Sequence, residues 1–204
     1  LFLNLLLTTI HRVITVRLLN GFMIQYPKNI RFLAKKLPNY KYPTIQKSKN
    51  NISSVNLKLA IDSIFFKETP NWRINFDSHE QFVSLHRWNW LIRGITDDKI
   101  SNDYDWGVEL IRSWLHDMGP IPQGPASESY TVGERISNTC LFIRQTKGNW
   151  HSVPNDIKNA LRYKTKFLAR RLEYIPGNLT GNHLINNARA LLLSGYSCNI
   201  DSSK

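Results

Sequence analysis

The stretch from Asp77 to Gly94 constrains the fold more than any other. It reads as one helix on whose wheel Val83, Leu85, Trp88, Trp90, Leu91 and Ile92 cover most of the circumference. Phe82, His86, Asn89 and Arg93 share the remaining stripe, at i, i+4, i+7 and i+11. A helix apolar on nearly every side needs packing partners on nearly every side, so this one belongs inside the molecule. Its polar stripe then faces either a cavity or a network of core backbone groups, and His86 and Asn89 are open to both roles.

The rest of the chain supplies those partners. Leu1 to about Tyr26 reads as a helix ended by Pro27, followed by a basic connection to Asn51 that Pro38 and Pro43 interrupt. Residues 1–50 therefore form an N-terminal helix and linker, and residues 51–204 a helical domain. Asn56 to Lys67 is open between short helix and strand. Thr69-Pro70-Asn71-Trp72 is a turn with an aromatic anchor. Asp103 to Met118 is amphipathic, with Trp106, Leu110, Ile111, Trp114, Leu115 and Met118 inward and Glu109, Arg112, Ser113 and His116 outward. Gly119 to Pro125 is a loop that no helix can enter.

Two more helices follow. Over Tyr130 to about Thr146, Ile136, Cys140 and Ile143 share a buried face, and Arg135, Asn138 and Phe142 share another. Pro154 opens a helix running to about Tyr174, with Ile157, Leu161, Leu168, Leu172 and Ile175 as its core stripe. Lys158, Arg162, Lys166 and Arg170 lie roughly opposite and read first as a solvated surface. Short Pro/Gly loops between helices, with no run of alternating strands, imply antiparallel helix pairs: an all-α bundle or α/α toroid.

A chain of 204 residues is enough for one substantial core. Its 27 Lys+Arg against 15 Asp+Glu leave a net charge of +12. That excess favours a polyanionic partner: nucleic acid, an anionic membrane face or an acidic polysaccharide. The apolar run Leu1 to Ile10 is too short to span a bilayer, and it lacks the basic start and cleavage site of a clear signal peptide. Cys140 and Cys198 show neither a CxxC pairing nor Cys/His metal spacing. They read as two buried thiols in preference to a disulfide, and no metal or cofactor is implied.

The last helix has an unusual entrance. Helix breakers crowd Pro176 to Gly181, Asn182 stands at the N-cap position, and Gly195 stands where a C′ residue closes a helix. Asn182 and His183 sit side by side, with Asn186 and Asn187 one turn on. Amide and imidazole donors at a helix N-terminus suit an anion, because the helix dipole adds partial positive charge behind them.

Glu173-Tyr174, then Gly181-Asn182-His183-Leu184-Ile185-Asn186-Asn187-Ala188-Arg189-Ala190-Leu191, then Gly195 closely resemble a signature of the heparinase II/III and alginate-lyase-like proteins. That signature reads LEY…GNHLxxNxxAL…G and lies in their N-terminal helical domain. Three weaker blocks precede it in the family's order. Trp72 with Leu85-His86-Arg87-Trp88-Asn89-Trp90-Leu91 resembles the first inner-helix block. Leu110-Ile111-Arg112-Ser113-Trp114-Leu115 resembles the second, and Tyr130-Thr131-Val132-Gly133-Glu134-Arg135-Ile136-Ser137-Asn138 the third. Gly133 and Thr139 depart from it, standing where Ser and Trp are common.

The resemblance implies an all-α, partial α/α toroid of antiparallel helix pairs, acting on acidic polysaccharide such as alginate or glycosaminoglycan by β-elimination. It implies a periplasmic or secreted setting and a following β-sandwich domain. Asn182 is carried over as the group that neutralises a uronate carboxylate, and His183 as its partner or as the base for one uronate epimer. His86, Asn89, Arg135 and Asn138 are carried over as cleft-lining, substrate-binding residues, with a structural ion pair as the other reading of Arg135. The family's acid/base tyrosine and a further histidine lie beyond the stretch that Lys204 ends, so the expectation is a fragment incomplete as a catalyst alone. Two other readings stay open: a non-catalytic glycan-binding remnant, and a basic helical nucleic-acid-binding module using the Lys158 to Arg170 stripe. No recognised nucleic-acid motif supports the last.

Overall fold

A computed structural model of the chain describes residues 44–45, 54–96, 104–146, 150–172 and 181–198, without the side chains of residues 93–96 and 198. The expected first helix, its basic connection apart from Thr44 and Ile45, the Arg93 side chain, Glu173-Tyr174, Ile175 and the Cys198 thiol lie outside the described residues.

The stretch left open between helix and strand is a hairpin. Strands β1 (Val55–Lys58) and β2 (Ser63–Phe66) pair antiparallel, Val55 opposite Phe66 and Lys58 opposite Ser63. Val55 and Leu57 are buried while Asn56 and Lys58 are exposed, a period of two that only a strand provides. The Leu59 N–H donates to the Asp62 carbonyl at 2.8 Å and closes the turn. Trp72 then anchors the connection as expected: it is fully buried, and its indole N–H donates to Ser113 Oγ at 2.9 Å.

The single helix expected over Asp77 to Gly94 is two helices. Helix α1 (His79–Arg87) starts at Ser78, whose hydroxyl accepts from the Gln81 N–H at 3.5 Å. It stops at Trp88, which has φ 62 and ψ 27, and α2 (Asn89–Thr96) begins at once. A left-handed tryptophan costs about 1–3 kcal/mol. Side chains take the carbonyls that the break releases. Trp90 Nε1 donates to the Leu85 carbonyl at 3.0 Å, and Asn138 Nδ2 to the Arg87 carbonyl at 2.9 Å. The turn also carries the Trp88 indole into the core, where it is 1% exposed.

Helix α3 (Tyr104–Met118), α4 (Ser129–Thr146), α5 (Asn155–Ala169) and α6 (Asn182–Cys198) follow, with single 3-10 turns at Gly124–Ser127 and Trp150–Ser152. The described chain is thus predominantly helical, as expected, with one small hairpin. No helix among the described residues is long and apolar enough to cross a membrane. Helix α4 is the hub, packed against α1, α2, α5 and α6. Its buried face takes in Ile136, Cys140 and Ile143 and equally Arg135, Asn138 and Phe142. Gly133 lets α6 approach it: a Cβ there would stand 3.1 Å from Asn186 Nδ2 and 3.2 Å from Asn187 Oδ1. Gly195 does not end α6, which continues through it to Cys198.

The face of α3 expected outside is mostly inside. Glu109, Arg112 and Ser113 are buried, and only His116 is exposed. Arg112 is held by two carboxylates. Its Nε and Nη2 reach Asp156 at 2.9 and 3.3 Å, and its Nη1 reaches Glu109 at 2.8 Å. Hydrogen bonding to Asp156 raises the Arg112 pKa, so the guanidinium stays charged despite burial. This triad fastens α3 to the start of α5.

Three substitutions test this packing. Asp156→Ala leaves a buried guanidinium short of a partner and lowers the unfolding free energy by about 3 kcal/mol in urea melts. Asp117→Ala, at the exposed Arg73–Asp117 pair, costs less than about 1 kcal/mol in the same assay. Gly107→Ala places a Cβ 2.2 Å from the Phe142 ring, which is itself buried against Tyr104. Overpacking of about 1–3 kcal/mol outweighs the helix-propensity gain of about 1 kcal/mol, and the melting temperature falls.

Candidate functional site

The residues singled out from sequence divide into two neighbouring groups, one at the surface and one in the interior. The surface group gathers where the end of α1 meets the starts of α4 and α6. Asn182 is the first residue of α6, exposed, and its amide makes no hydrogen bond to a described residue. It therefore does not cap α6. His183 is exposed, and its ring lies on Tyr130, centroids 4.6 Å apart at 47°. The Arg87 guanidinium also faces the Tyr130 ring, at 4.9 Å, while Arg87 Nη1 pairs with Glu80 at 2.7 Å. On the same border Arg189 pairs with Glu134 at 2.6 Å, and Asn186 Nδ2 donates to the Tyr130 carbonyl at 3.1 Å. Tyr130 and Arg87 were not singled out as site residues from sequence, because neither has a partner within a turn of its own helix.

Asn89 and Asn138 lie at the base of this corner and are already engaged. Asn138 Nδ2 donates to Asn89 Oδ1 at 2.6 Å as well as to the Arg87 carbonyl. Their amides hold the helix break in place, the structural role that the sequence left open for Asn89.

His86 and Arg135 turn the other way. Both are 0% exposed. Trp114 Nε1 donates to His86 Nδ1 at 3.1 Å, which puts the imidazole proton on Nε2, where it finds no acceptor. Arg135 Nη2 donates to the Ala126 carbonyl at 2.6 Å and pins the proline-rich loop, but its Nε and Nη1 are buried without partners. The Arg135 guanidinium lies 4.3 Å from the Trp114 ring and 5.7 Å from the Trp88 ring. Lys164, 2% exposed, joins them from α5, its Nζ 4.1 Å from the Trp88 ring and 4.9 Å from the Trp114 ring. No described carboxylate pairs with Arg135 or Lys164, so the ion-pair reading of Arg135 has no described partner.

Burial decides the protonation of this interior group. Desolvation, with the Arg135 charge second, lowers the His86 pKa to about 3. Desolvation alone lowers Arg135 to about 9, and desolvation with Arg135 lowers Lys164 well below the usual lysine range. Lys164 does carry a sequence signal of burial: it stands seven residues after Ile157 and three after Leu161, on the core stripe of α5. Lys158, Arg162, Lys166 and Arg170 are half-buried or exposed, the solvated surface expected of them.

Among the described residues no group of three His, Cys, Asp or Glu side chains could hold a metal ion. No family model, characterised protein or solved structure matches the chain at a significant level.

The state of His86 has a measurable consequence. Its folded pKa of about 3 lies below the ordinary histidine value of 6.5. The unfolded chain therefore takes up the proton first, and the contribution to stability is full above the unfolded pKa. It is lost as pH falls from there toward the folded value, by about 1.4 kcal/mol per pH unit in mid-window. His86→Gln keeps an acceptor for the Trp114 N–H. Its urea stability should fall less steeply than wild type between about pH 6 and pH 4.

Proposed function

We propose that the corner formed by Asn182, His183, Tyr130 and Arg87 binds a carboxylate of an acidic, uronate-containing polysaccharide. On this reading the helices form part of an α/α toroid similar to the N-terminal domain of heparinase II/III-type lyases. The observation that carries it is the Asn182 amide, exposed at the first residue of α6 with no hydrogen bond to a described residue, beside an imidazole packed on an aromatic ring. Amide and imidazole supply hydrogen bonds, and the helix N-terminus supplies partial positive charge. The net charge of +12 favours the same class of ligand.

The chemistry explains why such donors are wanted. In β-elimination a base removes the proton at C5 and the C4–O glycosidic bond breaks. That proton is weakly acidic beside a charged carboxylate. Hydrogen-bond donors on the carboxylate stabilise the enolate-like anion, and one such donor is worth about 10²–10³ in rate. In this chain Asn182 neutralises the carboxylate, and His183 assists it or takes the proton from one uronate epimer. On this reading the corner itself supplies recognition and neutralisation of the carboxylate.

Binding to alginate and to heparin, followed by calorimetry over a salt series, tests this. Asn182→Ala or His183→Ala should weaken salt-sensitive binding about tenfold, the effect of one hydrogen bond to a charged group. Lys158→Glu with Arg162→Glu should leave most of it intact. The opposite pattern, with affinity moved to nucleic acid, would support the basic-stripe reading instead.

A further inference from the structure

The interior group around Trp88 and Trp114 has a property that the corner at Asn182 does not explain. Its unsatisfied atoms are all donors: Arg135 Nε and Nη1, His86 Nε2 and Trp88 Nε1, with the Lys164 ammonium over the same two indoles. Taking a charge out of water costs several kcal/mol per ion. A cation–π contact returns roughly 0.5–2 kcal/mol. The indole faces therefore do not balance two buried cations. The depressed pKa values of Arg135 and Lys164 say the same from the proton side: without an anion the cluster holds its charge poorly.

The missing complement is a group with acceptors only. We propose that Arg135, Lys164 and His86 form an internal site for one oxyanion, a carboxylate, sulfate or phosphate group whose oxygens accept from all three. Arg135 has free N–H donors on Nε and on Nη1, which flank the engaged Nη2 and point apart, so one of the two nitrogens turns to a single oxyanion as a charged donor. Lys164 adds a mobile charge from α5, and His86 adds an N–H from α1. An oxyanion there fastens three helices at once, α1, α4 and α5. The site is separate from the corner at Asn182 and does not depend on the polysaccharide reading.

The whole 204-residue chain is the sample for the test. Its thermal unfolding is followed while acetate, sulfate or phosphate replaces chloride at constant ionic strength, for wild type and Lys164→Met. Methionine keeps the straight side chain without the charge, and removing an unpaired buried charge in this way is compatible with folding. The expected result is a saturable rise in melting temperature with at least one oxyanion, its apparent affinity at least about tenfold weaker in Lys164→Met. Which oxyanion acts separates a carboxylate from a sulfate or phosphate source. A rise that is linear and the same in both proteins is the general exclusion effect of such salts, and it overturns the proposal. Wild-type calorimetry in two buffers of different ionisation enthalpy adds a measurement that needs no variant. An anion beside Lys164 raises its depressed pKa, so proton uptake on binding should grow as the buffer pH is raised, and no uptake at any pH tested excludes Lys164 as a ligand.

Discussion

Two cations set against two indoles, with no described carboxylate beside them, govern how the interior is arranged. An ordinary core would exclude Arg135 and Lys164, or supply acids as it does for Arg112. Here the stabilising partners are ring faces, and rings must be aimed. Trp114 is aimed by its N–H on His86, and Trp88 by the left-handed turn that ends α1. The backbone strain at Trp88 is thus the local counterpart of a requirement for an indole at that depth. Trp90 and Asn138 make the break tolerable by taking the carbonyls it exposes. The cations, the helix break and the amide pair Asn89–Asn138 are consequently one structural unit.

Helix α4 carries that unit outward. It buries residues around most of its circumference because helices pack on several of its sides, and each side is specialised. Arg135 ties the Gly119 to Pro125 loop to the core through the Ala126 carbonyl. Gly133 lets α6 come close enough for Asn186 to hold the Tyr130 carbonyl. That close approach fixes the position of Asn182 and His183, three to four residues earlier on α6. A glycine at this position therefore suits the tight fit between α4 and α6.

Much of this was legible in the sequence, and what was not has a common cause. The order of helices, the burial of His86, the Trp72 anchor and the solvated stripe on α5 all follow from period and punctuation. Periodicity assigns a helix one inner face, whereas a helix packed on several sides has more. Glu109, Arg112 and Ser113 were placed outside for that reason. Their partners Asp156 and Trp72 lie 44 and 41 residues away, beyond the reach of any local pattern. The break at Trp88 was invisible for a related reason: no glycine or proline marks it, and the force behind it is tertiary. Lys164 differs, since its position on an apolar stripe was visible and only its residue type argued against burial.

The exposed corner and the interior cluster are built from adjacent residues of the same elements. His86 points inward and Arg87 outward on α1, because successive residues on a helix turn by about 100°. Tyr130 and Arg135 are five residues apart on α4, a rise of roughly 7.5 Å. The two groups cannot shift independently, since moving Arg87 moves the carbonyl that Asn138 holds and the imidazole on which Trp114 rests. A charge arriving inside would stiffen α1 against α4 and hold Arg87 and Tyr130 in register. The corner's geometry is thus set together by the packing of α1 and α6 on α4 beneath it and by the contacts that His183, Arg87 and Asn186 make with Tyr130.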